Sequence, residues 1–159
     1  MTGPRVQLRE VRPDDLPVFF DHHRDAEAVR MAAFTVEDPG DREAFDAQWE
    51  RILGDDAVVN RTVLYGGRVA GNVMSFEQFG EPSVGYWIGR EHWGKGVATR
   101  ALTAFLELVP DRPLYARIAK DNTGSLRVLE KCGFTVAREE RGYASARGRE
   151  IDELVLVLV

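Results

Sequence analysis

The feature that most constrains the fold is a loop with two glycines between a strand pattern and a helix pattern. Ser83–Gly89 alternates apolar and polar side chains, which predicts a strand, and Gly96–Val109 repeats apolar side chains at helical spacing. Gly94 and Gly96 lie at the junction. Glycines allow close approach of the backbone, and the free N–H groups of a helix N-terminus attract anions. The pattern therefore predicts an α/β protein in which this turn is a candidate anion site.

Two nucleotide-binding motifs are similar to this loop without matching it. Gly89 to Lys95 spell G-x-x-x-x-G-K, but a P-loop continues with a Ser or Thr that holds Mg²⁺, and Gly96 stands there. A dinucleotide-binding loop is followed by an acid at the end of the next strand, and Asp121 lies too far along for that. Two interpretations stay open: a metal-free pyrophosphate site for a cofactor carried whole, such as coenzyme A, and a plain strand-to-helix turn.

Hydrophobic periodicity and turn residues predict the remaining elements. Gly66-Gly67 separates two β-rich runs and predicts a hairpin. The first helix starts near Pro13 with Leu16 and Phe19 on its apolar face, and a loop follows around residues 34–40. Further strands are predicted at 6–11, 58–65, 68–76, 114–119, 134–139 and 153–159, and further helices at 41–53 and 122–131. The order predicts a mixed sheet, with antiparallel hairpins early and β-α-β units late.

Composition limits the class of protein. The 159 residues suit one domain over 1–159, and 26 acidic against 21 basic residues give a net charge of −5, which argues against general nucleic-acid binding. Cys132 is the one cysteine, so no intrachain disulfide forms and a cytoplasmic location is expected. The longest apolar run, Leu154–Val159, is too short to span a membrane. His22 and His23 are adjacent and point apart on a helix, so no metal site is expected.

Two spaced motifs resemble the GNAT N-acetyltransferase superfamily, in the branch that includes ribosomal-protein N-terminal acetyltransferases. Residues 85–102, GYWIGREHWGKGVATRAL, resemble its acetyl-CoA motif, and residues 121–134, DNTGSLRVLEKCGF, resemble its second motif. The resemblance covers essentially the whole chain. It implies a GNAT-like α/β fold, with a mixed, largely antiparallel seven-stranded sheet flanked by about four helices.

The resemblance also implies a site for acetyl-CoA as co-substrate, without a metal. The strand that ends at Trp87 and Ile88 would pair with the pantetheine arm, Asn122 would bind that arm from the second motif, and Ser125 would lie close to the thioester sulfur. Thr99 would add a hydroxyl contact. Backbone amides would hold the pyrophosphate at Gly94, Lys95, Gly96, Val97 and Ala98.

The catalytic residues are less constrained. Many superfamily members carry a tyrosine in the second motif as the acid for the leaving thiolate, and Leu129 stands at that position. Ser125, one helical turn earlier, is therefore the candidate acid. For the base, Glu77 follows the third strand and Glu81 precedes the fourth, and Tyr86 and Tyr143 are other polar candidates. Phe34 and Tyr86 are predicted to contact the acceptor.

The implied function is transfer of an acetyl group from acetyl-CoA to a primary amine by direct attack in a ternary complex. The amine belongs to a protein N-terminus or to a small molecule. The alternative is a non-catalytic acyl-CoA-binding or sensing module, which the missing tyrosine would suit. The resemblance alone points to a homodimer, and the sequence leaves the oligomeric state open.

Overall fold

Seven strands form one mixed sheet in the computed structural model, which describes residues 4–159. Their order across the sheet is β1-β2-β3-β4-β5-β7-β6. The late β-α-β pattern predicted parallel strands, and β4–β5 is the only parallel pair among the strands described, because β7 lies between β5 and β6. The strands are β1 (Val6–Arg9), β2 (Val59–Tyr65), β3 (Arg68–Gln78), β4 (Glu81–Ile88), β5 (Leu114–Ala119), β6 (Thr135–Ala144) and β7 (Arg149–Leu158).

Helices begin where the sequence provides caps. Asp41 caps the third helix through a hydrogen bond from the Ala44 N–H, and Asn122 caps the fifth through the Ser125 N–H. Short 3₁₀ turns at Pro13–Asp15 and Arg90–His92 precede the first and fourth helices. The helices are α1 (Leu16–Arg24), α2 (Ala26–Ala32), α3 (Arg42–Leu53), α4 (Val97–Leu108) and α5 (Thr123–Lys131).

One helix was absent from the sequence prediction. The chain was expected to run from the first helix into a loop, whereas the structure has a break at Asp25 followed by α2. Asp25 is extended, and its carboxylate accepts a hydrogen bond from the Ala28 N–H at 3.3 Å, which starts the new helix. The described chain therefore has five α-helices where about four were expected, because a seven-residue helix is too short to give a clear periodic pattern.

The last two strands are longer than predicted. The prediction stopped β6 at residue 139 and started β7 at residue 153, but the ladder continues to the pair Ala144 and Arg149. The added residues are largely charged, and Arg141 pairs with Asp152 across the two strands at 3.0 Å. Charged cross-strand pairs do not produce the apolar alternation from which strands are recognised.

The two faces of the sheet carry different helices. Val84, Tyr86 and Ile88 alternate along β4 and pack into the main core with the apolar faces of α4 and α5. Trp87 lies on the other face, where its indole nitrogen donates to the His22 carbonyl in α1 at 3.3 Å. Side chains on opposite faces of β4 therefore reach opposite sides of the molecule. Within residues 4–159, no helix is long and apolar enough to cross a membrane.

Candidate active site

The sheet opens between its two parallel strands. β4 pairs with β5 at a single position, Ser83 with Tyr115, whereas β5 pairs with β7 over all six of its residues. Beyond Ser83 the strands separate, so the last part of β4 has no ladder partner on that side. A cavity of about 430 Å³ lies beside this gap, between the glycine loop, α4 and α5.

Along β4, the backbone N–H and carbonyl groups of every second residue face the gap. The Gly89 N–H donates to the Ala70 carbonyl in the direction of β3 at 2.8 Å. In an antiparallel ladder the next residue points the other way, so the N–H and carbonyl of Ile88 face the gap, as do those of Tyr86. The Ile88 carbonyl accepts a hydrogen bond from the Trp93 indole at 2.9 Å. The gap is therefore an edge at which an extended ligand finds strand-like backbone partners.

The glycine loop presents a helix N-terminus to the cavity. Gly94 and Gly96 have φ values of +75° and +74°, a conformation that favours glycine, and α4 starts at Val97. Among residues 4–159, no side chain caps this end of α4. A Cβ built on Gly94 would meet nothing within 4 Å, so the approach to the loop is open. These features suit an anion such as a pyrophosphate. Loop and helix residues that line the cavity are Gly94, Gly96, Val97, Ala98 and Thr99.

The two cations of this loop point away from the cavity. Lys95 does not line it, and the Lys95 ammonium lies 5.8 Å from the centre of the Tyr65 ring. The Arg100 guanidinium donates to the carbonyls of Gly96 and Lys95 at 3.3 and 3.0 Å. Arg100 therefore holds the loop in place, and neither of the two cationic side chains lines the cavity.

The start of α5 forms the opposite wall. Asn122 and Ser125 both line the cavity. The Asn122 side chain is already used at both ends: its oxygen accepts from the Ser125 N–H at 3.2 Å, and its nitrogen donates to the Met31 carbonyl in α2 at 3.3 Å. Asn122 thus fixes the position of Ser125 and joins α5 to α2.

Leu129 is buried in the main core, at 2% exposure, and leaves no polar group at its position. Tyr86 approaches the same region from β4 and lines the cavity beside Ser125. Its hydroxyl oxygen is buried and has no hydrogen-bond partner within the described structure. Burial raises the pKa of Tyr86 to about 12, so the phenol stays protonated at neutral pH.

Phe34 and Tyr86, grouped in the sequence prediction, lie on opposite faces of the sheet. Phe34 packs with Ala33 and Ile151 in a small second core and lies against Gly142. It does not line the cavity, whereas Tyr86 does. The two side chains therefore lie on the two sides of the sheet, and only Tyr86 belongs to the cavity.

The two glutamates considered as bases lie elsewhere. Glu77 is exposed and pairs with Pro82 across the β3–β4 ladder. Pro82 lies five residues before Trp87, so about 16 Å of strand separates Glu77 from the Trp87 end of β4. Glu81 accepts two hydrogen bonds from Arg138, at 3.1 and 2.8 Å, and a third from Arg117. The Arg138 hydrogen bonds outweigh burial and lower the pKa of Glu81. Neither Glu77 nor Glu81 lines the cavity, so neither is placed to act as a base there.

Several lining residues escaped the sequence prediction. Arg127 and Lys131 lie four residues apart on α5 and add positive charge. Helical spacing from Gly124, which lines the same wall, would have identified them. His92 and Trp93 belong to the loop itself. The α2 residues Ala28, Met31 and Ala32 gave no signal, because the helix that carries them was not predicted.

The family follows from a direct comparison. Residues 5–135 match the model of the Acetyltransferase (GNAT) domain family. This match spans most of the chain, and the chain therefore belongs to the GNAT acetyltransferase family, as its two motifs predicted. A curated relative, the uncharacterized N-acetyltransferase p20 of Bacillus licheniformis, is 33% identical over 91 residues, 54% of this chain. The match spans about half, 51%, of that protein's length.

Solved structures of low identity share the fold. The spermidine N-acetyltransferase of Vibrio cholerae, in complex with CoA and spermine, has a TM-score of 0.81 at 18% identity, covering 96% of this chain and 94% of its own. Mycobacterium smegmatis RimJ, in complex with CoA-disulfide, has a TM-score of 0.80 at 20% identity, covering 96% and 81%. These likenesses establish the mixed, mostly antiparallel seven-stranded fold.

Proposed function

We propose that this chain is an N-acetyltransferase that binds acetyl-CoA along the gap between β4 and β5. The observation that carries the proposal is the open edge of β4 beside the uncapped N-terminus of α4. The pyrophosphate would lie on the backbone amides from Gly94 to Ala98, with the Thr99 hydroxyl near it. The pantetheine arm would pair with Ile88. The structures of similar fold that hold CoA or CoA-disulfide support a cofactor of this kind.

The reaction we infer is direct acetyl transfer in a ternary complex. Acetyl-CoA supplies the acetyl thioester. The acceptor's amine nitrogen attacks the carbonyl carbon, a C–N bond forms, the C–S bond breaks, and the electron pair leaves with sulfur. The Tyr86 N–H, which also faces the gap, is positioned to donate to the developing oxyanion. The amine proton passes to water, and the products are an N-acetylated amine and free CoA thiol.

Ser125 is the proposed donor to the leaving thiolate. It lines the cavity at the start of α5, and the Asn122 cap fixes its backbone. A thiolate is a modest base with a pKa of about 8.5, so a hydrogen bond from a hydroxyl stabilises it without full proton transfer. A serine donor is needed in this chain because Leu129, at the position where many superfamily members carry a tyrosine, has no group to donate.

The acceptor we propose is a primary α-amine, such as a protein N-terminus, which enters from the face that carries Phe34. An α-amine has a pKa near 8, so about a tenth is neutral at pH 7, against about one in 2,500 of a lysine-like amine. The charged side chains on the cavity wall, Arg127 and Lys131, are both positive. A positive wall attracts a CoA phosphate and repels a polycation.

A thiol-release assay tests this function. The protein is mixed with acetyl-CoA and a panel of acceptors: peptides with free N-termini, the same peptides with blocked N-termini, and polyamines. We expect release with free peptides only, and Ser125→Ala to lower kcat while the Kd for CoA stays within about threefold. Binding of acetyl-CoA with no amine-dependent release would instead identify an acyl-CoA-binding module.

A further inference from the structure

Tyr86 carries a buried hydroxyl that the fold itself does not satisfy. The residue lies on β4 and packs with the core on the α4 and α5 side, and its oxygen has no hydrogen-bond partner within the described structure. An unpaired buried hydroxyl destabilises a fold, and a phenylalanine would fill the same space without that cost. An orphaned group of this kind beside a cavity calls for a functional explanation.

The Ser125 hydroxyl is the candidate partner for the Tyr86 hydroxyl, because the two residues line the same cavity. Burial is the largest influence on the pKa of Tyr86 and raises it, and the nearby Ser125 hydroxyl lowers it, as a hydroxyl close enough to stabilise the phenolate does. The two hydroxyls do not reach hydrogen-bond geometry in the structure. A hydrogen bond between them therefore requires a movement of at least one of the two side chains.

We propose that Tyr86 is a positioning residue, which donates its hydroxyl proton to Ser125 Oγ and so turns the Ser125 proton toward the cofactor sulfur. A serine hydroxyl accepts and donates at once, so one donor fixed behind it decides where its own hydrogen points. The proposal rests on the proposed function, because it assigns the sulfur of acetyl-CoA to the Ser125 end of the cavity.

The pair explains how the site works with leucine at position 129. A phenol is still present, but it reaches the region from β4 instead of α5 and acts through Ser125. Tyr86 keeps its proton throughout, because its pKa of about 12 lies well above that of a thiol, about 8.5. Its part is to orient a hydrogen bond, and the thiolate takes its final proton from water.

The test measures the thiol of bound CoA, which needs no amine acceptor. The ultraviolet absorbance of the thiolate is followed against pH in wild type, Tyr86→Phe, Ser125→Ala and the double variant, with Tyr115→Phe as the matched loss of one hydroxyl outside the cavity. We expect the pKa of the bound thiol to rise by about one unit in both single variants, as a lost charge-assisted hydrogen bond requires. The double variant should equal Ser125→Ala, and kcat should fall about tenfold in Tyr86→Phe.

Thermal unfolding separates this role from a structural one. The Tm of Tyr86→Phe should equal or exceed that of wild type, because the variant removes only an unpaired buried hydroxyl. A lower Tm, a bound thiol that titrates as in wild type, or an effect of Tyr86→Phe that persists in Ser125→Ala would each overturn the proposal. If the titrations follow the expectation but no amine releases thiol, the proposed Tyr86–Ser125 hydrogen bond is supported and the proposed transferase activity is contradicted.

Discussion

Arg147 binds both carboxylate oxygens of Asp121, at 2.8 and 3.0 Å, from the turn between β6 and β7. Its Nε also donates to the Arg30 carbonyl in α2 at 2.8 Å. Asp121 immediately precedes Asn122, which caps α5 and holds Ser125. One side chain thus joins the last hairpin, α2 and the wall of the cavity.

Replacing this arginine should loosen the cavity wall. Arg147→Lys keeps the charge but loses the bidentate geometry, so we expect the free energy of unfolding to fall by about 1 kcal/mol and KM for acetyl-CoA to rise. The matched control is Arg141→Lys, whose pair with Asp152 is 61% and 45% exposed and should leave both quantities nearly unchanged. Equal effects of the two substitutions, in denaturation and kinetics, would contradict the assignment.

The glycine loop offers a closely matched pair of substitutions. Gly94 and Gly80 both have φ near +75° and no atom within 4 Å of a built Cβ, but only Gly94 lines the cavity. We expect Gly94→Ala and Gly80→Ala to lose similar stability, about 1 kcal/mol, from the strained backbone. Only Gly94→Ala should weaken CoA binding, measured by calorimetry. Loss of affinity in Gly80→Ala as well would mean that strain acts at a distance.

Gly71 is required by the close approach of β3 to β4. A Cβ at this position would collide with the Trp87 carbonyl oxygen and would lie 2.9 Å from the Ile88 Cα. We expect Gly71→Ala to destabilise the protein by about 2 kcal/mol or more, because neither backbone can move without opening the ladder. Gly85→Ala, whose Cβ meets the Phe76 ring at an ordinary 3.4 Å, is the control. Chemical denaturation of both variants tests the difference.

His23 should make stability depend on pH. Its ring packs 4.1 Å from the Trp87 ring, and burial lowers the pKa of His23 to about 4. The unfolded chain binds this proton near pH 6.5, so the free energy of unfolding falls as pH drops from about 7 to about 4, by up to about 3 kcal/mol.

Denaturation curves between pH 7.5 and 4 test this expectation. His23→Asn keeps a donor for the Phe19 carbonyl, which Nδ1 contacts at 2.7 Å, but cannot titrate. The variant should lose the part of the pH dependence that His23 contributes. If its curve falls as steeply as that of wild type, other groups carry the effect.

Local patterns in the chain were enough to predict most elements of the fold. The Gly66-Gly67 turn, the periodicity of the helices predicted at 41–53 and 122–131 and the alternation of β4 each act over a few residues, and the structure has these elements at the predicted places. The glycine loop and the two motifs likewise predicted the family that the comparison establishes. These features were readable because their physical causes are local.

The sequence by itself thus determined the sheet, the glycine loop and the family, whereas the tertiary structure decided which side chains meet. The sequence made Glu77 a candidate base, but the β3–β4 register places it opposite Pro82. Glu81 was a second candidate, but two arginines from distant strands bind its carboxylate. That Tyr86 and Ser125 line the same cavity depends on how α5 packs against the sheet. Strand register and helix packing bring together residues that are far apart in the chain, and such contacts cannot be predicted from local periodicity.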